Sequence, residues 1–212
     1  MEQLPRLRGI LHLVTAPVAA LGGLTLVVLA GTLAGRVSLA IFMCTSALLF
    51  TTSAIYHRGR WLPRTEQLLR RLDHSNIFLI IAGTYTPLTV MLLERDNARV
   101  LLTIIWIGAL GGVAVHNFWP AAPRYVYVPI YVALGWAALL YLPEFTTAGP
   151  WILGLVVTGG VLYTLGALVY AIKRPRLNPA WFGFHELFHA LTVLAFAAHF
   201  TAIALTLAQV RA

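Results

Sequence analysis

The chain has 212 residues, 59% of them apolar and only 10% charged, against roughly 25% charged in an average soluble domain. One soluble core cannot absorb that much apolar surface at this length, whereas a bundle of membrane spans can, because the bilayer is itself an apolar solvent. A net charge of +8 would point to nucleic acid in a soluble protein. Here the Arg residues fall between apolar runs, where they meet lipid headgroups, so no nucleic-acid partner is expected.

A span needs about 20 mostly apolar residues. The first such run, 9–34, follows Arg6 and Arg8 and exceeds the apolar core of a cleaved signal peptide, so it reads as a retained first helix. The second, 37–56, holds Cys44, the only cysteine, which leaves no intramolecular disulfide and no cysteine-based metal site. The connection 57–73 combines Pro63, Thr65 as an N-cap, and Leu68, Leu69 and Leu72 beside Arg70 and Arg71. That pattern predicts a short amphipathic helix lying on the headgroup layer. The third run, 74–93, contains Gly83-Thr84-Tyr85-Thr86-Pro87, where a functional kink is expected at the proline. Runs at 100–118, 125–142, 150–172 and 184–210 complete the set, and Glu186 is the single formally charged residue in all seven. The expected architecture is therefore all-α: one seven-transmembrane helix bundle filling residues 1–212, with no room for a second domain.

With the N-terminus inside, the inner loops carry eleven Arg and Lys and the outer segments four, namely Arg36, Arg95, Arg99 and Arg211. The positive-inside rule then puts the N-terminus in the cytoplasm and the C-terminus outside, the expected location being the inner (plasma) membrane as a multi-pass protein. This topology is the inverse of a G-protein-coupled receptor. A retinal protein is excluded as well, since its Schiff base needs a helical lysine and the only lysine, Lys173, lies in a loop.

On this topology three polar clusters meet at the cytoplasmic side: Ser53-Ala54-Ile55-Tyr56-His57 ending the second run, Asp73-His74 opening the third, and His185-Glu186-Leu187-Phe188-His189 opening the seventh. Ser53 and His57 are four apart, as are His185 and His189, so each pair shares a helix face about 6 Å apart along the axis. Three His from two helices suit a tetrahedral Zn2+ site with a fourth position open for water, the arrangement of a catalytic zinc. Asp73 is the first choice as general base, with Ser53 beside the water. The string at 185–189 also matches H-E-x-x-H, in which the Glu is the base. Glu186 points about 100° away from His185 around the helix, so it serves either there or against Arg or headgroups at the interface. His74, His12 and His116 lie near the same side and read as supporting or structural groups. His199 sits about 15 Å deeper than His189, too far for the same ion, and reads as a buried hydrogen-bonded imidazole. A haem pair is disfavoured, because no other run repeats the 14-residue spacing of His185 and His199.

Ser53-x-x-Tyr56-His57, Asp73-His74-x-x-Ile77-Phe78 leading into Ala82-Gly83-Thr84-Tyr85-Thr86-Pro87, and His185-Glu186-x-Phe188-His189 together resemble the hemolysin III group. These are bacterial members of the progestin and adipoQ receptor family, in a superfamily that includes alkaline ceramidases. The resemblance spans nearly the whole chain. It implies seven helices with a cytoplasmic N-terminus, zinc on His57, His185 and His189, and Ser53 and Asp73 around the bound water. It does not require Glu186.

Three functions follow as expectations. The first is a zinc-dependent hydrolase of a membrane lipid amide or ester, ceramidase-like by analogy. The second is a sensor or regulator of membrane state in which zinc is structural. The third, a cytolysin, fits poorly with a chain built into its own producer's membrane.

Overall fold

The computed structural model describes residues 5, 7–119, 123–175, 178 and 180–211. Arg6 and Arg176 of the charge asymmetry lie outside them, as does the Arg124 side chain. The described chain is all-α apart from an isolated bridge between Asn178 and Phe182. Its helices are α1 (Ile10–Leu29), α2 (Leu33–Arg58), α3 (Pro63–Leu92), α4 (Arg95–Phe118), α5 (Arg124–Gly135), α6 (Leu142–Thr147), α7 (Pro150–Ile172) and α8 (Phe184–Arg211), with a 3-10 turn at Ala137–Tyr141. Seven stretches among the described residues are long and apolar enough to cross a membrane, the fifth, Val126–Thr147, being composite.

Sequential helices pack as neighbours, α1 on α2, α2 on α3, α3 on α4 and α7 on α8, while α8 also meets α1 and α3. The most apolar stretch of α3 is 67% buried, against 22% for α1, α4 and α7, which puts α3 at the centre. Its sequence suits that place. Ala82, Gly83, Thr84, Thr86 and Thr89 are small enough for close helix packing. A Cβ added at Gly83 would stand 1.9 Å from Thr45 Oγ1 on α2. Several hydroxyls in the spans are satisfied locally, Thr45, Thr86, Thr192 and Thr206 each donating to a carbonyl one turn back, as a medium without water demands. Val14, Val18, Leu21, Val28, Ile107 and Leu168 face outward, and a bilayer would cover them.

Several boundaries differ from the sequence expectation. The amphipathic helix expected over 57–73 is no separate element: α3 starts at Pro63 and runs unbroken for 30 residues. Pro63 holds the first helical position and Leu62 the cap, so Thr65 is an interior residue. The proline's fixed φ begins the helix two residues before the expected cap. The first run ends at Leu29, and Thr32 caps α2 by accepting from Gly35 N at 3.1 Å. Arg36 fits inside α2 because its Nε donates to Ala30 O at 3.0 Å. The run 125–142 is broken after Gly135, where α5 gives way to the 3-10 turn.

Candidate metal centre

Antiparallel packing of α2 on α3 brings the last turn of α2 beside Asp73, and α8 enters the bundle against both. His57 lies in the last turn of α2, and His185 and His189 occupy one face of the first two turns of α8. Their three imidazoles converge. His57 Nε2 and His185 Nε2 are 3.1 Å apart, ring centroids are separated by 4.6 to 5.0 Å, and one nitrogen from each lies within 4.8 Å of the others. Three nitrogens so close can hold a metal ion. His189 is 2% exposed, so the set is closed off on the bundle side.

Asp73 flanks the cluster, with its Oδ2 3.7 Å from His57 Nε2. Ser53, one turn from His57, is 1% exposed, and its hydroxyl stands beside Asp73 without a well-formed hydrogen bond among the described residues. A buried hydroxyl left unpaired costs about 1–3 kcal/mol, which marks a place where another polar group belongs. Tyr56 turns its ring to His57 at 4.5 Å.

The remaining candidates have other partners. Glu186 is 1% exposed and faces away from the three imidazoles: its Oε1 accepts from Arg8 Nε at 2.5 Å and its Oε2 from Gly183 N at 2.8 Å. The second contact is half of a capping box at the start of α8. His74, one residue on from Asp73, points to a different face of α3. Its Nδ1 donates to Arg70 O at 2.8 Å, so its Nε2 accepts from the Tyr170 hydroxyl at 2.9 Å, and its ring stacks on His116 with centroids 5.0 Å apart. His12, read from sequence only as a supporting group, stacks on His189 with centroids 3.9 Å apart and planes 8° apart. Both of its nitrogens are buried without a partner among the described residues. Its depth near the first helix end was legible, but its neighbour, 177 positions along the chain, was not.

From His189 a cavity of about 90 Å³, counted as the space open to the centre of a water molecule, extends between the helices. His12, Ser53, Asp73 and His189 line one end, Ile77, Ile81, Ala167 and Phe188 the middle, and Trp136, Tyr163, Thr164 and His199 the far end. Sequence reasoning missed Tyr163, Thr164 and Trp136. The available signal was a polar atom within an otherwise apolar span.

These features define a multi-pass membrane protein with a three-histidine cluster that could hold a metal ion, its His189 at one end of an internal cavity. The chain belongs to the Haemolysin-III related family, whose profile matches residues 2–200. It is 30% identical to Hemolysin-3 of Bacillus cereus over 151 residues, 71% of this chain and 68% of that protein. It is 31% identical to the Hemolysin-3 homolog of Bacillus subtilis (strain 168) over 152 residues, 70% of each. A more distant relative is the Adiponectin receptor protein of Drosophila melanogaster, 25% identical over 154 residues, 65% of this chain and 35% of the receptor.

Proposed function

We propose that the protein is a zinc-dependent hydrolase of a membrane lipid amide or ester, a single domain of the plasma membrane with its N-terminus and metal centre on the cytoplasmic side. The observation that carries this reading is a three-histidine cluster whose His189 lines a largely apolar cavity, with the Asp73 carboxylate and the Ser53 hydroxyl lining the same end. The donor set fits zinc. Tetrahedral Zn–N bonds of about 2.0–2.1 Å hold ligand nitrogens about 3.4 Å apart, and two of the three already stand at 3.1 Å.

A bound Zn2+ supplies Lewis acidity, bringing the pKa of water towards about 7 and polarising a carbonyl oxygen. The chain supplies the rest. Asp73 takes the proton from the attacking water at its carboxylate and returns it to the departing amine or alkoxide. The Ser53 hydroxyl donates to the oxygen on which negative charge develops. The walls formed by Ile77, Ile81 and Phe188 hold the acyl chain and keep bulk water from it. The products are a fatty acid and an amine or alcohol, so the atoms of one water balance the reaction.

The competing reading is a regulator of membrane state with structural zinc, and it is favoured by the nearness of Asp73 to His57, which suits a purely polar network. Metal content by mass spectrometry on detergent-purified protein should give about one zinc per chain, lost in His189→Ala. Asp73→Asn should keep the zinc and reduce lipid turnover by about a hundredfold or more. Retained turnover in Asp73→Asn would remove Asp73 as base, and no zinc in the wild type would remove the hydrolase.

A further inference from the structure

The far end of the cavity is more polar than an acyl chain needs. Most of its polar groups are paired: Trp136 Nε1 donates to Thr164 Oγ1 at 3.0 Å, and that hydroxyl donates to Gly160 O at 2.8 Å. Two are not. The Tyr163 hydroxyl and His199 Nδ1 are buried and have no hydrogen-bond partner among the described residues. Their rings lie 5.6 Å apart.

The chemistry of the pair is determined by a third contact. His199 Nε2 is 3.0 Å from Val156 O, and a carbonyl only accepts, so Nε2 carries the proton and Nδ1 presents a bare lone pair. The imidazole is held in that pose by Gly159, where a Cβ would stand 2.3 Å from Nε2. Tyr163 thus offers a donor and His199 an acceptor, side by side within the membrane, where an unpaired polar group is expensive. A group that completes both must accept and donate at once. A hydroxyl does this; a methylene, a ketone or an ether does not.

We infer that Tyr163 and His199 form a hydrogen-bonding subsite for a hydroxyl carried on the acyl chain of the bound lipid. The subsite lies about 15 Å from the metal centre, the rise of the ten residues between His189 and His199. The ligand class is a long-chain hydroxyacyl lipid, the hydroxyl standing far from the carbonyl end. This rests on the cavity being the lipid site of the proposed hydrolase, and it adds a chain-selectivity that the metal centre cannot provide.

The test is binding, so it needs no turnover. Octadecanoate, 2-hydroxyoctadecanoate and 12-hydroxyoctadecanoate are titrated into the detergent-purified full chain in competition with radiolabelled octadecanoate. In the extended 12-hydroxy acid the hydroxyl stands about the required distance from the carboxylate. The wild type should bind the 12-hydroxy acid about five- to tenfold more tightly than octadecanoate, the effect of one well-made hydrogen bond, and should show no such gain for the 2-hydroxy acid. Tyr163→Phe, which removes one oxygen and leaves the ring, should abolish the preference while octadecanoate binds as before. Equal affinities in the wild type would mean that water alone completes the pair, and would overturn the inference. So would a preference that survives Tyr163→Phe. If the acids bind with the expected preference but no lipid is hydrolysed, the hydrolase reading fails and the subsite stands.

Discussion

Glu186 stands between two imidazoles of the metal centre in sequence, yet its carboxylate is spent on Arg8 and on the backbone of Gly183. One helical residue turns the side chain by about 100°, enough to send neighbours to different tasks. Glu186→Gln should therefore leave metal content unchanged and lower stability by about 1–3 kcal/mol, because Arg8 loses its counter-charge at a partly buried site. Thermal unfolding beside metal analysis separates the outcomes; loss of the metal would return Glu186 to the centre. At this scale the sequence was informative about types, spacing and the face a residue takes on its own helix, and blind to which distant helix that face meets. The four-residue spacing placed His185 and His189 on one face, whereas the stacking of His12 on His189 and the turning of His74 to Tyr170 depend on contacts between distant helices.

Among the helices, the spans were legible because apolar runs without charge have few alternatives in a bilayer. Their ends were less so. Leu68, Leu69 and Leu72 beside Arg70 and Arg71 have the composition of an interfacial helix, and nothing local says that the same helix continues into the bundle. The break after Gly135 was hidden in the same way, since the run stays apolar through it. The contact of α2 with α3 gives an element-scale prediction. Gly83→Ala should push against Thr45, whose Oγ1 and Cβ would lie 1.9 and 2.8 Å from the new carbon, and should destabilise the protein by about 1–3 kcal/mol. Combining it with Thr45→Ala should restore part of the loss in a thermal melt. Equal melting of wild type and Gly83→Ala would mean that the helices separate without cost.

For the molecule as a whole, a metal held by the three histidines would couple binding to stability. An ion held only by the folded chain adds about 2.7 kcal/mol when its free concentration is a hundred times its dissociation constant. A chelator should thus lower the melting temperature of the wild type and leave that of His189→Ala unchanged; an equal shift in both would place the ion elsewhere. The positive-inside orientation is tested on the intact chain by a C-terminal reporter active only outside the cytoplasm, which should be active after seven crossings. An inactive reporter would reverse the side on which the metal centre works.

His57 and His185 stand 128 positions apart, and α8 follows every other described helix in the chain. During synthesis the ribosome therefore delivers one imidazole early and the other two only with α8. Until α8 is threaded between α1 and α7, the growing protein offers a lone histidine that competes poorly for scarce metal. Capture of the proposed ion would thus wait for the insertion of α8, and a chain that holds it would already have brought α2 and α8 together.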